Sequence, residues 1–184
     1  MGRSLATAAV MLGAWLACPI HAARAEAPPR SGGLVYRLSV EAYRFELDWA
    51  GGAVNMRGGA IGAAVAMRIV PRLMMGGQVE LARPANGRGA PMNAAYLNGF
   101  ATVRIAGGLL ATAELVTSRL NVGHRGDATG LGIGGQLRYE LSAGGTTATS
   151  AQVGFRWIHT RDDEGSHDIG NATSATVGVG VTWY

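Results

Sequence analysis

The chain has 184 residues, room for one domain and little for two. Its 48% apolar and 15% charged residues exclude a disordered chain, and 29 glycines weigh against a helical bundle. All sixteen basic residues are arginine and the formal charge of +4 is spread along the chain, so no nucleic-acid-binding stripe is expected. The lone Cys18 leaves no intramolecular disulfide and no cysteine metal site.

Residues 1–25 have the layout of an export signal. Arg3 supplies the positive start, Ser4 to Ala17 the apolar stretch, and Ala23-Arg24-Ala25 the small-x-small cleavage site. That apolar stretch is short for a retained membrane helix. Cleavage after Ala25 leaves Glu26 to Tyr184, with residues 26–33 as a Pro-containing periplasmic lead.

From residue 34 onward the chain alternates with period two, the signature of strands with two different faces. The expected strands are 34–49, 59–70, 73–82, 95–106, 109–121, 130–142, 147–160 and 172–184. In the first, Leu34 to Val40 alternate in one phase while Tyr43, Phe45, Leu47 and Trp49 alternate in the other, so a bulge is expected near Glu41 and Ala42. The second sets Ile61, Val65, Met67 and Ile69 against Arg68; the third sets Leu73, Met75, Val79 and Leu81 against Gln78 and Glu80. The fourth sets Leu97, Ala101, Val103 and Ile105 against Asn98, Thr102 and Arg104. The fifth is the least regular, because adjacent Leu115 and Val116 break the alternation. The sixth carries Leu131, Ile133, Leu137, Tyr139 and Leu141, the seventh Val153, Phe155 and Trp157, and the last Val177, Val179, Val181 and Trp183.

The joins carry the architecture. Val70-Pro71-Arg72, Ala106-Gly107-Gly108 and Ala143-Gly144-Gly145 read as tight turns. Longer polar joins at 50–58, 83–94, 122–129 and 161–171 alternate with them. Strict alternation of short and long joins, an even strand number and strands of about ten residues point to an all-β, eight-stranded antiparallel up-and-down transmembrane β-barrel over residues 34–184. A soluble sandwich or lipocalin-like barrel shares the period, but the apolar face here carries Tyr43, Trp49, Tyr139, Phe155, Trp157 and Trp183 toward strand ends, as an interfacial girdle would.

Over the whole chain beyond the signal, this pattern resembles the small eight-stranded outer-membrane barrels of the OmpA/OmpX kind. The resemblance implies the bacterial outer membrane as location and folding by the barrel-assembly machinery. It also implies a monomer in contact with outer-membrane lipid and lipopolysaccharide. Trp183-Tyr184 resembles the aromatic ending that the machinery reads, with one departure: the apolar series counts back from Trp183 and leaves Tyr184 out of phase.

The face assignment puts Arg44, Arg68, Arg104, Arg138 and Arg156 inside with Glu46, Glu80, Glu114 and Glu140. Removing these charges from water is costly unless they pair, so an interior ion network is expected, and a filled lumen argues against a wide pore. A narrow or gated conductance is the alternative.

His159 falls on the lipid-facing phase near the outer end of the seventh strand, an unusual place for a titratable group. It resembles the catalytic position of the lipid A 3-O-deacylase (PagL) family, which implies a histidine base activating a serine for ester cleavage. The residue two positions on is Arg161 instead of serine, and Thr173 stands where the carboxylate is sought. Ser166 with Asp162, Asp163 or Glu164 is the substitute that the neighbourhood offers. Without a nucleophile in place, the expectation is a non-catalytic barrel needing no cofactor, with Arg161 at the outer rim gripping a lipopolysaccharide phosphate. The acidic run Asp162 to Asp168 lacks EF-hand spacing, so no metal is expected there. Arg125-Gly126-Asp127 resembles an integrin-recognition tripeptide and makes an adhesin, acting through the joins at 83–94 and 122–129, a third reading. Gly130 to Gly135 runs into a strand, not a helix, and is set aside as a nucleotide loop, and Asn171-Ala172-Thr173 is an idle glycosylation sequon.

Overall fold

The computed structural model describes residues 33–49, 52–86, 92–121, 127–162 and 168–184. The expected signal and most of the lead lie outside these residues, as do the middle of the acidic join and Arg125-Gly126.

Eight strands close into one antiparallel barrel in sequence order: β1 (Leu34–Trp49), β2 (Gly52–Val70), β3 (Leu73–Asn86), β4 (Asn93–Ala106), β5 (Leu109–Asn121), β6 (Asp127–Gly144), β7 (Thr147–Asp162) and β8 (Asp168–Trp183). Closure comes from β1 pairing with β8, Tyr36 opposite Trp183 through Leu47 opposite Ala172, which leaves no free sheet edge. The three tight turns share one end with Leu34 and Tyr184, the turn end; the other four joins mark the loop end, and the first of them, expected over 50–58, leaves only residues 50–51 between Trp49 and Gly52, so short and long joins do not alternate strictly. Gly107 and Gly145 take positive φ, 49° and 56°, in two of those turns, where a side chain would be strained.

Away from the register shifts beside the turns, each strand keeps one phase over its described side chains. Odd-numbered side chains point outward in β2 to β8 and even-numbered ones in β1. The apolar outward side chains form a continuous band: Leu34 to Val40, Ile61 to Ile69, Met75 to Leu81, Leu97 to Ile105, Leu131 to Leu141, Val153 to Trp157 and Val177 to Trp183 are exposed at alternate positions. Typical strand rise and barrel tilt turn nine residues into a band about 23 Å tall, close to the ~25 Å apolar belt of transmembrane barrels.

At 13 to 19 residues, the strands outrun that band. The surplus lies at the loop end: β2 starts at Gly52 instead of 59, and β3 runs on to Asn86 instead of 82. There the two faces exchange character. Outside stand Arg44, Asp48, Asn55, Arg57, Arg83, Arg119 and Asn121. Inside, Tyr43, Phe45, Leu47, Met56, Tyr96, Val116, Leu120 and Ile158 form one buried apolar cluster.

This exchange corrects the reading of the first strand. The β1–β2 and β1–β8 registers run unbroken past Glu41 and Ala42, so no bulge lies there. Arg44 is exposed and Glu46 shares its outward phase, so neither belongs to the interior, and Tyr43 is buried instead of belonging to an outer girdle. Register shifts occur instead at Arg68/Val70, Arg104/Ala106 and Glu140/Ser142, one beside each tight turn, and at Thr160/Arg161.

Candidate functional site

Three layers fill the lumen. At the turn end, the positions beside the bulges aim Arg68, Arg104 and Glu140 at the last residue. Arg104 Nη1 lies 2.8 Å from Glu140 Oε2, the Tyr184 hydroxyl donates to Glu140, and the Arg68 guanidinium stands 5.2 Å over the Tyr184 ring. The Tyr184 backbone N–H donates to Thr146 O at 2.7 Å. Tyr184 is therefore out of phase with the outward Trp183 because it turns in and caps the lumen. A void beside this layer, lined by Val35, Arg37 and Arg138 among others, measures about 10 Å³, room for about one water.

The middle layer is polar. Arg156 donates from Nη1 and Nη2 to the two oxygens of Glu80, at 2.7 and 2.8 Å, and from Nε to Glu114 Oε2 at 3.0 Å. Its guanidinium also lies 5.4 Å from the centre of the Tyr96 ring. Arg37 donates to Gln136 Oε1 at 2.9 Å and to Gln78, while Gln152 Nε2 donates to Glu41 Oε1 at 2.7 Å. The lumen thus brings Glu80, Glu114 and Arg156 together, and separately Arg104 with Glu140. Arg68 and Arg138 are buried inside as well. Arg37 and Glu41 take the places expected for Arg44 and Glu46, so the balance stays at five cations against four anions. The unbroken outward run Leu34, Tyr36, Leu38 and Val40 already placed Arg37, Ser39 and Glu41 inward; it was the sought bulge that obscured it.

Above lies the apolar cluster, with the Tyr43 and Tyr96 hydroxyls bonded to each other and the Tyr43 and Phe45 rings stacked 5.9 Å apart. No open channel would pass water-solvated ions through this layer without displacing large side chains.

On the outer rim, His159 is half-buried on the outward phase, with Nδ1 3.3 Å from Asn171 Oδ1. An amide in that place does not supply the charge with which a carboxylate stabilises an imidazolium. Arg161 is exposed at the end of β7, opposite Thr129 of β6. Asp127, last of the integrin-like tripeptide, accepts from Arg119 Nη2 at 2.9 Å and from Asn121 Nδ2 at 2.6 Å, which clasps β6 to β5. Among the described residues no group of three histidine, cysteine or acidic side chains is placed to hold a metal.

No protein-family model matches the chain, and no curated protein matches it. Among solved structures it is similar to Neisserial surface protein A, at 15% identity and a TM-score of 0.55 over 82% of this chain and 98% of that one. It is also similar to the N-terminal β-barrel domain of Pseudomonas aeruginosa OprF, at 14% identity and a TM-score of 0.46 over 80% and 97%. The first of these likenesses establishes the fold, the eight-stranded up-and-down barrel of small outer-membrane proteins.

Proposed function

We propose that this chain is a non-catalytic barrel of the bacterial outer membrane, reached through a cleaved signal peptide, with a structural or surface-interaction role and no conductive path. The observation that carries the reading is the layered lumen: an apolar plug over a bidentate Arg156–Glu80 pair over the Tyr184 cap. The outward apolar band supports membrane residence, since a water-soluble barrel would leave it exposed. Assembly by the barrel machinery through Trp183-Tyr184 and contact of Arg161 with lipopolysaccharide belong to the same reading.

The test is twofold. Unboiled protein is expected to migrate apart from boiled protein on a gel, and the refolded wild type to give no unitary current steps in planar bilayers. Steady single-channel conductance from the wild type overturns the closed-lumen reading. Tyr43→Ala with Tyr96→Ala is expected to admit no current by itself, because the Arg156–Glu80 layer and the Tyr184 cap still close the lumen.

Ester hydrolysis of lipid A centred on His159 is the competing activity. The mass spectrum of lipid A is expected to be the same from outer membranes with the wild type, with His159→Ala and without the protein. Loss of one acyl chain that depends on His159 would reverse the assignment.

A further inference from the structure

On the outer face of β1 to β3, just above the apolar band, cross-strand pairing sets like charges against each other. Arg44 of β1 is directly opposite Arg57 of β2, and both are exposed. Like charges facing each other across an antiparallel pair destabilise it, since the Cβ atoms of such positions are only about 5 Å apart. Two residues further down β2 is Gly59, flanked by Ala42 on β1 and by the exposed Arg83 on β3. Three exposed arginines thus occupy the outward positions next to one that has no side chain. The outward carboxylates of β1 are Glu46 and Asp48, two and four residues beyond Arg44, on the side away from Gly59. Further round the rim, Arg119 is held by Asp127.

Directly below this cluster the wall is concave. A groove of about 730 Å³ runs over Val40, Gly59, Ile61, Leu81 and Ala95, with Arg83 on its margin and the Arg119–Asp127 pair at its other side. Gly59 and Ala95 create it by being small where their neighbours are large. Its volume falls in the range of small-molecule sites, and its floor belongs to the apolar band.

We propose that this surface is a lipid site, taking a phosphorylated, multiply acylated lipid of the outer leaflet with a phosphate among Arg44, Arg57 and Arg83 and acyl chain in the groove. A phosphate monoester carries nearly two charges and three acceptor oxygens, which removes the Arg44–Arg57 repulsion and matches the guanidinium forks. The site rests on the membrane-barrel reading and adds a contact on β1–β3 to the one proposed for Arg161 on β7.

The test uses refolded protein in maltoside micelles, scored first for the heat-modifiable folded band. Retention by native mass spectrometry and the shift in unfolding temperature are then read with four probes: bis-phosphorylated hexa-acyl lipid A, the same lipid stripped of phosphate, phosphatidylglycerol and inorganic phosphate. The phosphorylated lipid A is expected to be retained at least tenfold more tightly than any other probe. Arg44→Gln with Arg57→Gln and Arg83→Gln is expected to weaken it at least a hundredfold, and Arg72→Gln, exposed at the turn end, to leave it unchanged. Gly59→Leu fills the groove, where an added Cβ meets only Glu41 O at 3.8 Å, and is expected to weaken retention tenfold in a fully folded barrel. Folded protein that retains the dephosphorylated lipid equally, that prefers inorganic phosphate, or that loses the lipid only with Arg161→Gln overturns the site alone. A chain that folds only as a soluble species overturns the barrel reading and the site with it.

Discussion

Arg156→Leu is expected to be among the most damaging substitutions in the barrel, lowering stability by about 3–5 kcal/mol, the usual cost of stranding a buried charge. Arg156 is the shared partner of Glu80 and Glu114, both buried in the lumen, so its removal leaves two carboxylates facing each other in an environment that cannot solvate them. A loss of that size is a large share of a typical folding free energy of about 5–15 kcal/mol. The urea midpoint of the refolded variant in lipid vesicles measures it. Replacing the triad together, by Arg156→Met, Glu80→Leu and Glu114→Leu, is expected to recover part of the loss, because neither carboxylate is then stranded without its arginine. A single variant within about 1 kcal/mol of the wild type would show that the network contributes little more than an exposed ion pair does.

Gly132→Val is expected to cost about 3 kcal/mol or more, at or above the top of the range for overpacking. Gly132 points into the lumen from β6, and an added Cβ would stand 2.1 Å from Trp157 O and 2.7 Å from Ile158 Cα. These are backbone atoms of the hydrogen-bonded neighbour β7, so no rotamer change relieves the clash. Gly135 on the same strand points outward, where a Cβ meets only Thr112 O at 3.6 Å. Gly135→Val is therefore expected to be neutral or slightly stabilising, within about 1 kcal/mol, through its better fit to a pleated surface. The paired urea midpoints check both; equal effects at the two positions would show that glycine is needed for something other than close approach.

The wall of the barrel was legible in the sequence because lipid outside and polar groups inside impose period two, and the three turns announce themselves by Pro71, Gly107 and Gly145. The loop-end third was not, because there the outside is water and the inside is apolar, so the alternation persists with its meaning reversed. Tyr43, Phe45 and Leu47 look outward-facing for that reason alone. Leu115 and Val116 mark the changeover: Leu115 is 67% exposed on the apolar band, and Val116 is fully buried at the base of the plug. Two adjacent apolar residues there were a boundary marker instead of an irregular strand. Among the interior charges, Glu80, Glu114 and Arg156 could be assigned because the outward residues around them are plainly apolar; which carboxylates share the arginine depends on closure of the barrel, and no local pattern encodes it.

The seam between β1 and β8 has a consequence for the order of events during biogenesis. Tyr36 and Trp183, which lie opposite each other on it, are separated by nearly the whole described chain. None of its rungs can be laid before the last strand has been delivered, and contacts so distant in sequence are slow to find each other. Until then the growing sheet carries two raw edges, the most aggregation-prone feature a β-protein has. A chain halted before Ala172 would have nothing to offer β1 anywhere from Tyr36 to Leu47 and would remain an open ribbon. The final strand therefore acts as the latch that decides, all at once, whether a finished molecule or a target for proteolysis has been made.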